Sequence, residues 1–258
     1  MWLRIRQIAL IARELAPVVD DIRDVFGLEV AYRDPQVKVF GLENAVFPVG
    51  NQFLEVVAPI REGTAGERYL DRRNGDGGYM VICQCDDHAP RKRRAAELGI
   101  RKALEHDEPE FRIMQLHPRD TGGCLLEIDE QIGANAPDNP WVPAGKNWQA
   151  AVHTDVVRGI AAAEIQTPDP ADLASRWGQI VELPVKNDVR EQPSLHFDNA
   201  KVRFVKDTDG RGEGLGGVDL VVANRARLLA AAERRGKRVS DDLVNVCGVH
   251  FRLTDKPS

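Results

Sequence analysis

No run in the 258-residue chain approaches the ~20 consecutive apolar residues of a membrane span, so a membrane is not an expected partner. The apolar start, Met1 to Leu10, is broken by Arg4 and Arg6 and does not read as the core of a secretion signal. Cysteine is scarce: Cys83, Cys85, Cys124 and Cys247 form no CxxC pair, and a chain this long folds without disulfides, so a reducing cytoplasm is the expected location. Positive charge is not in surplus, with 35 Lys and Arg against 40 Asp and Glu, a formal net charge of −5. Phosphate neutralisation needs clustered excess Lys and Arg, so nucleic acid is excluded as the expected partner and a small-molecule substrate takes its place.

What is present is a globular composition, 43% hydrophobic and 29% charged, long enough for one large core or two modest ones. Periodicity decides between them. A short apolar strand, a helix opened by a polar or proline signal and further strands recur four times. The first unit has strand Ile5–Ala12, a helix with Leu15, Val18, Val19, Ile22, Val25 and Phe26 on one face and Gly27 as terminator, then strands at Glu29–Tyr32, Val37–Phe40, Ala45–Val49 and Gln52–Ala58. The second has Tyr79–Cys85, a helix capped by Asp86-Asp87 and running to Gly99, and strands Arg101–Leu104, Arg112–Leu116 and Cys124–Asp129. Residues 133–147, rich in Pro, Gly and Asn and without periodicity, read as a linker. The third unit follows with strand Ile160–Thr167, helix Ala171–Val181 and strands at Leu195–Phe197 and Lys201–Val205. The fourth has Val218–Ala223, a helix Arg225–Arg235 and Val249–Leu253. Each unit leaves one sheet face half-buried, and pairing two units closes it. The expected fold class is therefore α+β, four βαβββ modules paired into two barrels: an N-terminal barrel over 1–132, the linker, and a C-terminal barrel over 148–258.

These units resemble the vicinal-oxygen-chelate superfamily of glyoxalase I, bleomycin-resistance proteins, methylmalonyl-CoA epimerases and extradiol dioxygenases. The resemblance rests on Gln7-Ile8-Ala9-Leu10, Phe53-Leu54-Glu55-Val56-Val57, Gly77-Gly78-Tyr79-Met80 and Leu125-Leu126-Glu127-Ile128. In the third unit Ala163 to Pro170 also looks like an opening strand. The resemblance implies a divalent metal ion in the N-terminal cup, held at positions that fall on Gln7, Glu55, Met80 and Glu127. Gln7 and the two glutamates supply oxygen donors, whereas the Met80 thioether replaces the usual His and is a poor partner for a hard ion. Parity places Gln7 with Ile5, Ala9 and Ile11, and Glu55 with Phe53 and Val57, so both polar groups face inward. The bland reading is that these strand ends are solvated, or that Glu55 pairs with Arg4 or Arg6.

The segment from Leu116 to Glu127 is similar to the one before the last metal ligand of methylmalonyl-CoA epimerases. His117 and Arg119 sit at the mouth of its Asp-Thr-Gly-Gly turn, and His117 reads either as a turn-stabilising imidazole or as a proton carrier. Other signals carry less. Gly212 to Gly217 satisfies GxGxxG but leads into a strand, not a phosphate-binding helix, and reads as a turn between units. Arg91 to Arg94 and Glu233 to Arg238 read as solvated helix faces or, failing that, as contacts to a phosphate-bearing ligand such as coenzyme A. Cys83 and Cys85 read as small buried hydrophobes, and His153, His196 and His250 are scattered. The first-strand metal positions of the C-terminal half fall on Ala162 and Gly217, which bind nothing.

The resemblance thus implies isomerase- or lyase-type enolate chemistry on a small oxygen-rich carbonyl compound or CoA thioester. Glu55 or Glu127 would carry the proton, with His117 as a further catalytic candidate. Two alternatives stand beside it: extradiol ring cleavage, suggested by the four-unit length, and a metal-free small-molecule-binding protein in which Met80, Tyr79 and Trp2 line an apolar pocket. A homodimer is compatible with such folds, though no residue fixes the stoichiometry.

Overall fold

A computed structural model describes residues 1–122, 124–188 and 191–255. The first half contains β1 (Leu3–Ile11), α1 (Leu15–Phe26), β2 (Leu42–Val49), β3 (Gln52–Pro59), α2 (Ala65–Arg72), β4 (Gly77–Cys85), α3 (His88–Glu97), β5 (Lys102–Asp107), β6 (Phe111–Leu116), the single turn α4 (Pro118–Thr121) and β7 (Leu125–Gln131). The second contains β8 (Val157–Thr167), α5 (Pro170–Val181), β9 (Val185–Asn187), β10 (Pro193–His196), β11 (Lys201–Lys206), β12 (Gly214–Val222), α6 (Arg225–Arg234), β13 (Leu243–Val246) and β14 (Val249–Thr254).

Each half forms one seven-stranded mixed sheet, in the orders β2-β3-β1-β4-β7-β6-β5 and β13-β14-β12-β8-β11-β10-β9. The centres match. β1 runs antiparallel to β4 and parallel to β3, and β4 runs parallel to β7. In the same way β8 is antiparallel to β12 and parallel to β11, and β12 is parallel to β14. The α+β fold of paired modules is thus present in both halves.

Three of the helices begin at polar caps. Asp87, Asp169 and Asn224 cap α3, α5 and α6 by accepting a backbone N–H, and Gly27, in the left-handed region at φ 67°, ends α1. Several local expectations are corrected. Val37–Phe40 is not a strand but part of a 3-10 turn, Pro35–Phe40, started by the Asp34 carboxylate accepting from the Gln36 amide. Glu29–Tyr32 contributes only the isolated bridge of Tyr32 to Val46. The helix α2, capped by Thr64, and the short edge strands β9 and β13 have no counterpart in the periodicity, because each is too short to show one.

The helix-covered faces of the two sheets share one apolar core, running from Ile5, Ile8 and Leu10 through Phe26 and Trp177 to Val218, Phe251 and Leu253. Phe26 of α1 meets Phe251 of β14 with ring centroids 4.8 Å apart. The two basic runs read as solvated helix faces are instead the polar fastening of this junction. Arg91 donates to the Val181 carbonyl at 2.9 Å and Arg94 to that of Gln179 at 2.8 Å, tying α3 to α5. Arg235 and Lys237 both meet the buried Asp21 of α1 at 2.7 Å. The Gly212–Gly217 segment runs into β12, as expected, and Arg73 donates to the carbonyls of Arg211, Gly212 and Glu213 beside it. All four cysteines are free and buried. No helix among the described residues is long and apolar enough to cross a membrane.

Candidate functional site

The concave face of the first sheet carries the polar residues singled out from the sequence. Gln7 on β1, Glu55 on β3, Met80 on β4 and Glu127 on β7 lie in neighbouring rows: Ala9 pairs with both Glu55 and Met80, and Ile82 with Glu127. Around them stands a second apolar cluster separate from the main core, comprising Ala9, Val46, Phe53, Met80, Ile82, Phe111, Leu125, Trp141, Ala144 and Trp148.

Two of its largest members, Trp141 and Trp148, come from the segment between the halves. Residues 133–147, expected as a plain linker, and the turn Trp148–Ala151 form a strap laid into the N-terminal cup, where Trp141 is 0% and Trp148 1% exposed. Phe111 packs edge-on to Trp141 and Phe53 edge-on to Trp148, each at 5.1 Å. Two arginines of β1 hold the strap. Arg4 donates to the carbonyls of Asn135 and Ala136 at 3.2 and 3.1 Å, and Arg6 to those of Asn51, Pro137 and Asn139. The Arg6 guanidinium also lies between the rings of Phe53, Trp141 and Trp148, 5.1, 5.5 and 5.7 Å from their centroids. Burial, then the neighbouring Arg4 charge, lowers its proton affinity to a pKa of about 9. The expectation that Arg4 or Arg6 would neutralise Glu55 is therefore not met: both are committed to the strap.

Glu55 is satisfied by amides. Gln7 Nε2 donates to Glu55 Oε2 at 2.8 Å, Asn44 Nδ2 to Oε1 at 2.6 Å, and Trp141 Nε1 to Gln7 Oε1 at 2.9 Å. Burial raises the Glu55 pKa to about 7 against the opposing pull of these two bonds, and the nearby Glu127 charge adds to the rise. Across the cup Gln115 Nε2 donates to Glu127 Oε2 at 2.9 Å. Glu127 and Asp129, two apart on β7, are both raised by burial, and Asp129, whose two carboxyl oxygens are buried without a hydrogen-bond partner, is raised further by the Glu127 charge. Tyr79, pushed up to about 12 by burial, is a neutral phenol packed against the same cluster.

A divalent ion fits this arrangement poorly. The Gln7 oxygen accepts from an indole and both Glu55 oxygens accept from amides, while the fourth position is the Met80 thioether. No three His, Cys, Asp or Glu among the described residues converge as a cation site. The strap withdraws Gln7, 1% exposed, from the mouth, whereas Glu55 and Glu127 each keep 8%. His117 is not brought into contact with them. Its Nδ1 accepts from the Arg119 amide at 3.2 Å, capping the turn α4, which is the turn-stabilising role. Gly123, in the Asp-Thr-Gly-Gly turn, lies outside the described residues. Trp2, expected in an apolar pocket, lies instead against the Arg4 guanidinium at 4.6 Å. Sequence reasoning missed Asn44, Gln115 and Asp129, of which only Asp129 announces itself, by sharing the parity of Glu127. It also missed Trp141 and Trp148, two of the chain's four tryptophans, set in a stretch with no periodicity.

Comparison with known proteins agrees with this architecture. The glyoxalase-like domain model matches residues 8–181. An ethylmalonyl-CoA/methylmalonyl-CoA epimerase of Cereibacter sphaeroides is 24% identical over 132 residues, 49% of this chain and 97% of that protein. A hypothetical protein from Staphylococcus aureus superposes over 98% of this chain and 99% of its own, with TM-score 0.67 and 12% identity. A mutant of 4-hydroxymandelate synthase from Streptomyces coelicolor superposes over 92% of this chain and 76% of its own, with TM-score 0.68 and 15% identity. The last two share the fold over both halves. The chain belongs to the glyoxalase-like domain family, within the vicinal-oxygen-chelate superfamily.

Proposed function

We propose that the N-terminal cup performs proton transfer at the carbon beside a carbonyl of a small oxygen-rich compound, with Glu55 as the proton carrier. The observation that carries this is the environment of Glu55: a buried carboxyl, hydrogen-bonded by Gln7 and Asn44, whose pKa of about 7 matches the task of taking and returning a proton near neutrality. A carboxylate with ordinary affinity would be too weak a base. The reaction reads as follows. Glu55 as carboxylate removes the proton, its C–H electron pair moves into an enolate, and the Tyr79 phenol, kept neutral, is the donor available to the enolate oxygen. Return of the proton from Glu55 to the neighbouring carbon completes an isomerisation, and for inversion at the same carbon the carboxyl available on the opposite side of the cup is Glu127. The similarity of this half to an epimerase acting on malonyl thioesters makes a branched malonyl-CoA the first substrate to try. Gln7 and Glu55 spend their oxygens on Trp141, Asn44 and Gln7 donors and do not compose an open metal centre.

The test is deuterium incorporation from D2O into ethylmalonyl- and methylmalonyl-CoA, followed by NMR with wild type and Glu55→Gln. Exchange that falls at least about 100-fold in the variant supports the reading. Absence of exchange with either thioester and with a panel of 2-hydroxy and 2-oxo acids overturns it.

The filled cup favours a second reading, a metal-independent binding protein whose ligand competes with the strap for the apolar wall of Met80, Phe111 and Leu125. Stabilisation by an aromatic ligand, unchanged by EDTA and accompanied by a change in tryptophan fluorescence, distinguishes it. Ring cleavage has least support, because Ala162 and Gly217 offer no ligand atoms.

A further inference from the structure

A cavity of about 440 Å³ opens on the outer side of the strap, where the strap meets the turn between β2 and β3 and the start of β8. It is lined by Asp138, Trp148 and Gln149 of the strap, by Gly50 and Asn51 of the turn and by Arg158 of β8. Both halves of the chain and the segment between them therefore contribute to one wall.

That wall is fixed by contacts of its own. Gly50, in the left-handed region at φ 66°, lets the turn press against β8, since a Cβ at this position would collide with the Arg158 carbonyl. Beside it the Ile160 amide donates to Gln52 Oε1 at 2.8 Å, and Arg6 donates to the Asn51 carbonyl. On the strap, Gln149 Nε2 donates to the Asp138 carbonyl at 3.2 Å, which holds these two residues side by side. The cavity is thus assembled before any ligand arrives.

The polar groups around it are unspent. Trp148 is 1% exposed, and its Nε1 is buried with no hydrogen-bond partner, a donor that the fold leaves unanswered. Asp138 and Arg158 bring opposite charges to the same cavity, yet their side chains form no ion pair or hydrogen bond with each other or with any described residue. The Asp138 charge is felt by Arg4 and Arg6, but from beyond ion-pair distance, because both guanidinia donate to strap carbonyls. Two opposite charges held apart across one cavity match a ligand that carries both.

We propose that this cavity binds a small zwitterion, an amine and a carboxylate on one short carbon chain, with the ammonium on Asp138 and the carboxylate on the Arg158 guanidinium. The side-chain amides of Asn51 and Gln149 are available to the same carboxylate. A ligand seated there ties the strap to the first strand of the C-terminal half. The site is separate from Glu55 and does not depend on the chemistry assigned to it.

Titration calorimetry of the full chain with glycine, β-alanine and 4-aminobutanoate, which space the same two charges progressively further apart, tests the proposal at constant ionic strength. Saturable binding of at least one is expected, weakened at least tenfold in Asp138→Asn and in Arg158→Ala. Acetate and ethylammonium, each carrying one of the charges alone, should bind at least tenfold more weakly than that zwitterion. Both substituted side chains are exposed, and thermal midpoints equal to wild type confirm that a loss of binding is local. Linear, unsaturable heats for all three zwitterions overturn the proposal, as does unchanged affinity in either variant. Acetate binding as tightly as the best zwitterion also overturns it, in favour of a simple anion site, as does an equal loss in Arg93→Ala, an exposed arginine of α3.

Discussion

The two cups are built on one strand order and treated in opposite ways. The first is acidic, lined by Glu55, Glu127 and Asp129, and filled by the chain's own indoles, so burial raises the proton affinity of all three carboxyls. The second is dominated by ion pairs: Arg203 stands where the first has Glu55 and Arg252 where it has Glu127, so its carboxylates Glu164 and Asp219 are matched by guanidinium charge. The difference shows that this fold fixes where inward side chains converge but leaves open whether the space becomes core, site or surface. A covering segment, rather than the sheet itself, makes that choice here.

The largest expected effect comes from removing the cover. Trp141→Ala deletes a fully buried ring and the donor to Gln7, and a loss of about 3–5 kcal/mol in urea unfolding is expected. A loss below about 1 kcal/mol would show that the strap is a loose lid and not core. Nearly as large is Arg203→Met in the second cup, which strands Glu164 and Asp219 in a buried position. A cost of about 3 kcal/mol in urea unfolding is expected. If this variant is as stable as wild type, the ion-pair cluster is not a closed network and the contrast between the cups weakens.

The pH dependence separates the cups further. Glu55 ionises near 7 in the folded chain against about 4.5 unfolded, so the stability associated with its proton is fully present below pH 4.5 and is lost as pH rises towards 7. The interval corresponds to about 3 kcal/mol at most, and the raised Glu127–Asp129 pair acts in the same direction. The melting temperature should therefore fall between pH 5 and 8, and Glu55→Gln should flatten part of that slope and gain stability at pH 8. A slope unchanged in the variant would place the retained proton elsewhere. The smallest effect is expected from Arg252→Ala, the counterpart of Glu127. Arg252 reaches Glu164 and Asp219 only at 4.0 and 3.8 Å and its side chain is partly exposed, so a loss of about 1 kcal/mol by the same unfolding assay is expected, and a loss as large as that of Arg203→Met would make the two arginines equal partners.

The repeated architecture was legible because it is written in strong local signals: alternating apolar strands, Asp and Asn caps at Asp87, Asp169 and Asn224, and Gly27 after α1. The inward parity of Gln7, Glu55 and Glu127 was legible for the same reason. What those residues bond to was not, since Asn44, Gln115 and Trp141 reach them across strands or from a segment whose Pro, Gly and Asn content describes turns and says nothing about where the turns lie. The basic runs misled for a related reason. A charged helix face reads as solvated, yet Arg91 and Arg235 are spent on carbonyls and carboxylates of the opposite half, contacts that depend wholly on tertiary placement.

The common core behind the two sheets also governs how the chain can be divided. Ile8 and Leu10 of the first half and Val218 and Phe251 of the second belong to one apolar body, so cutting at the strap would uncover a hydrophobic flank on each fragment and strip the first of its own indoles. Neither fragment is expected to fold stably alone, and separate expression of residues 1–132 and 148–258 checks this. The protein should melt in a single cooperative transition, and gene-level recombination is best made by exchanging inward side chains within a cup while leaving the paired frame intact.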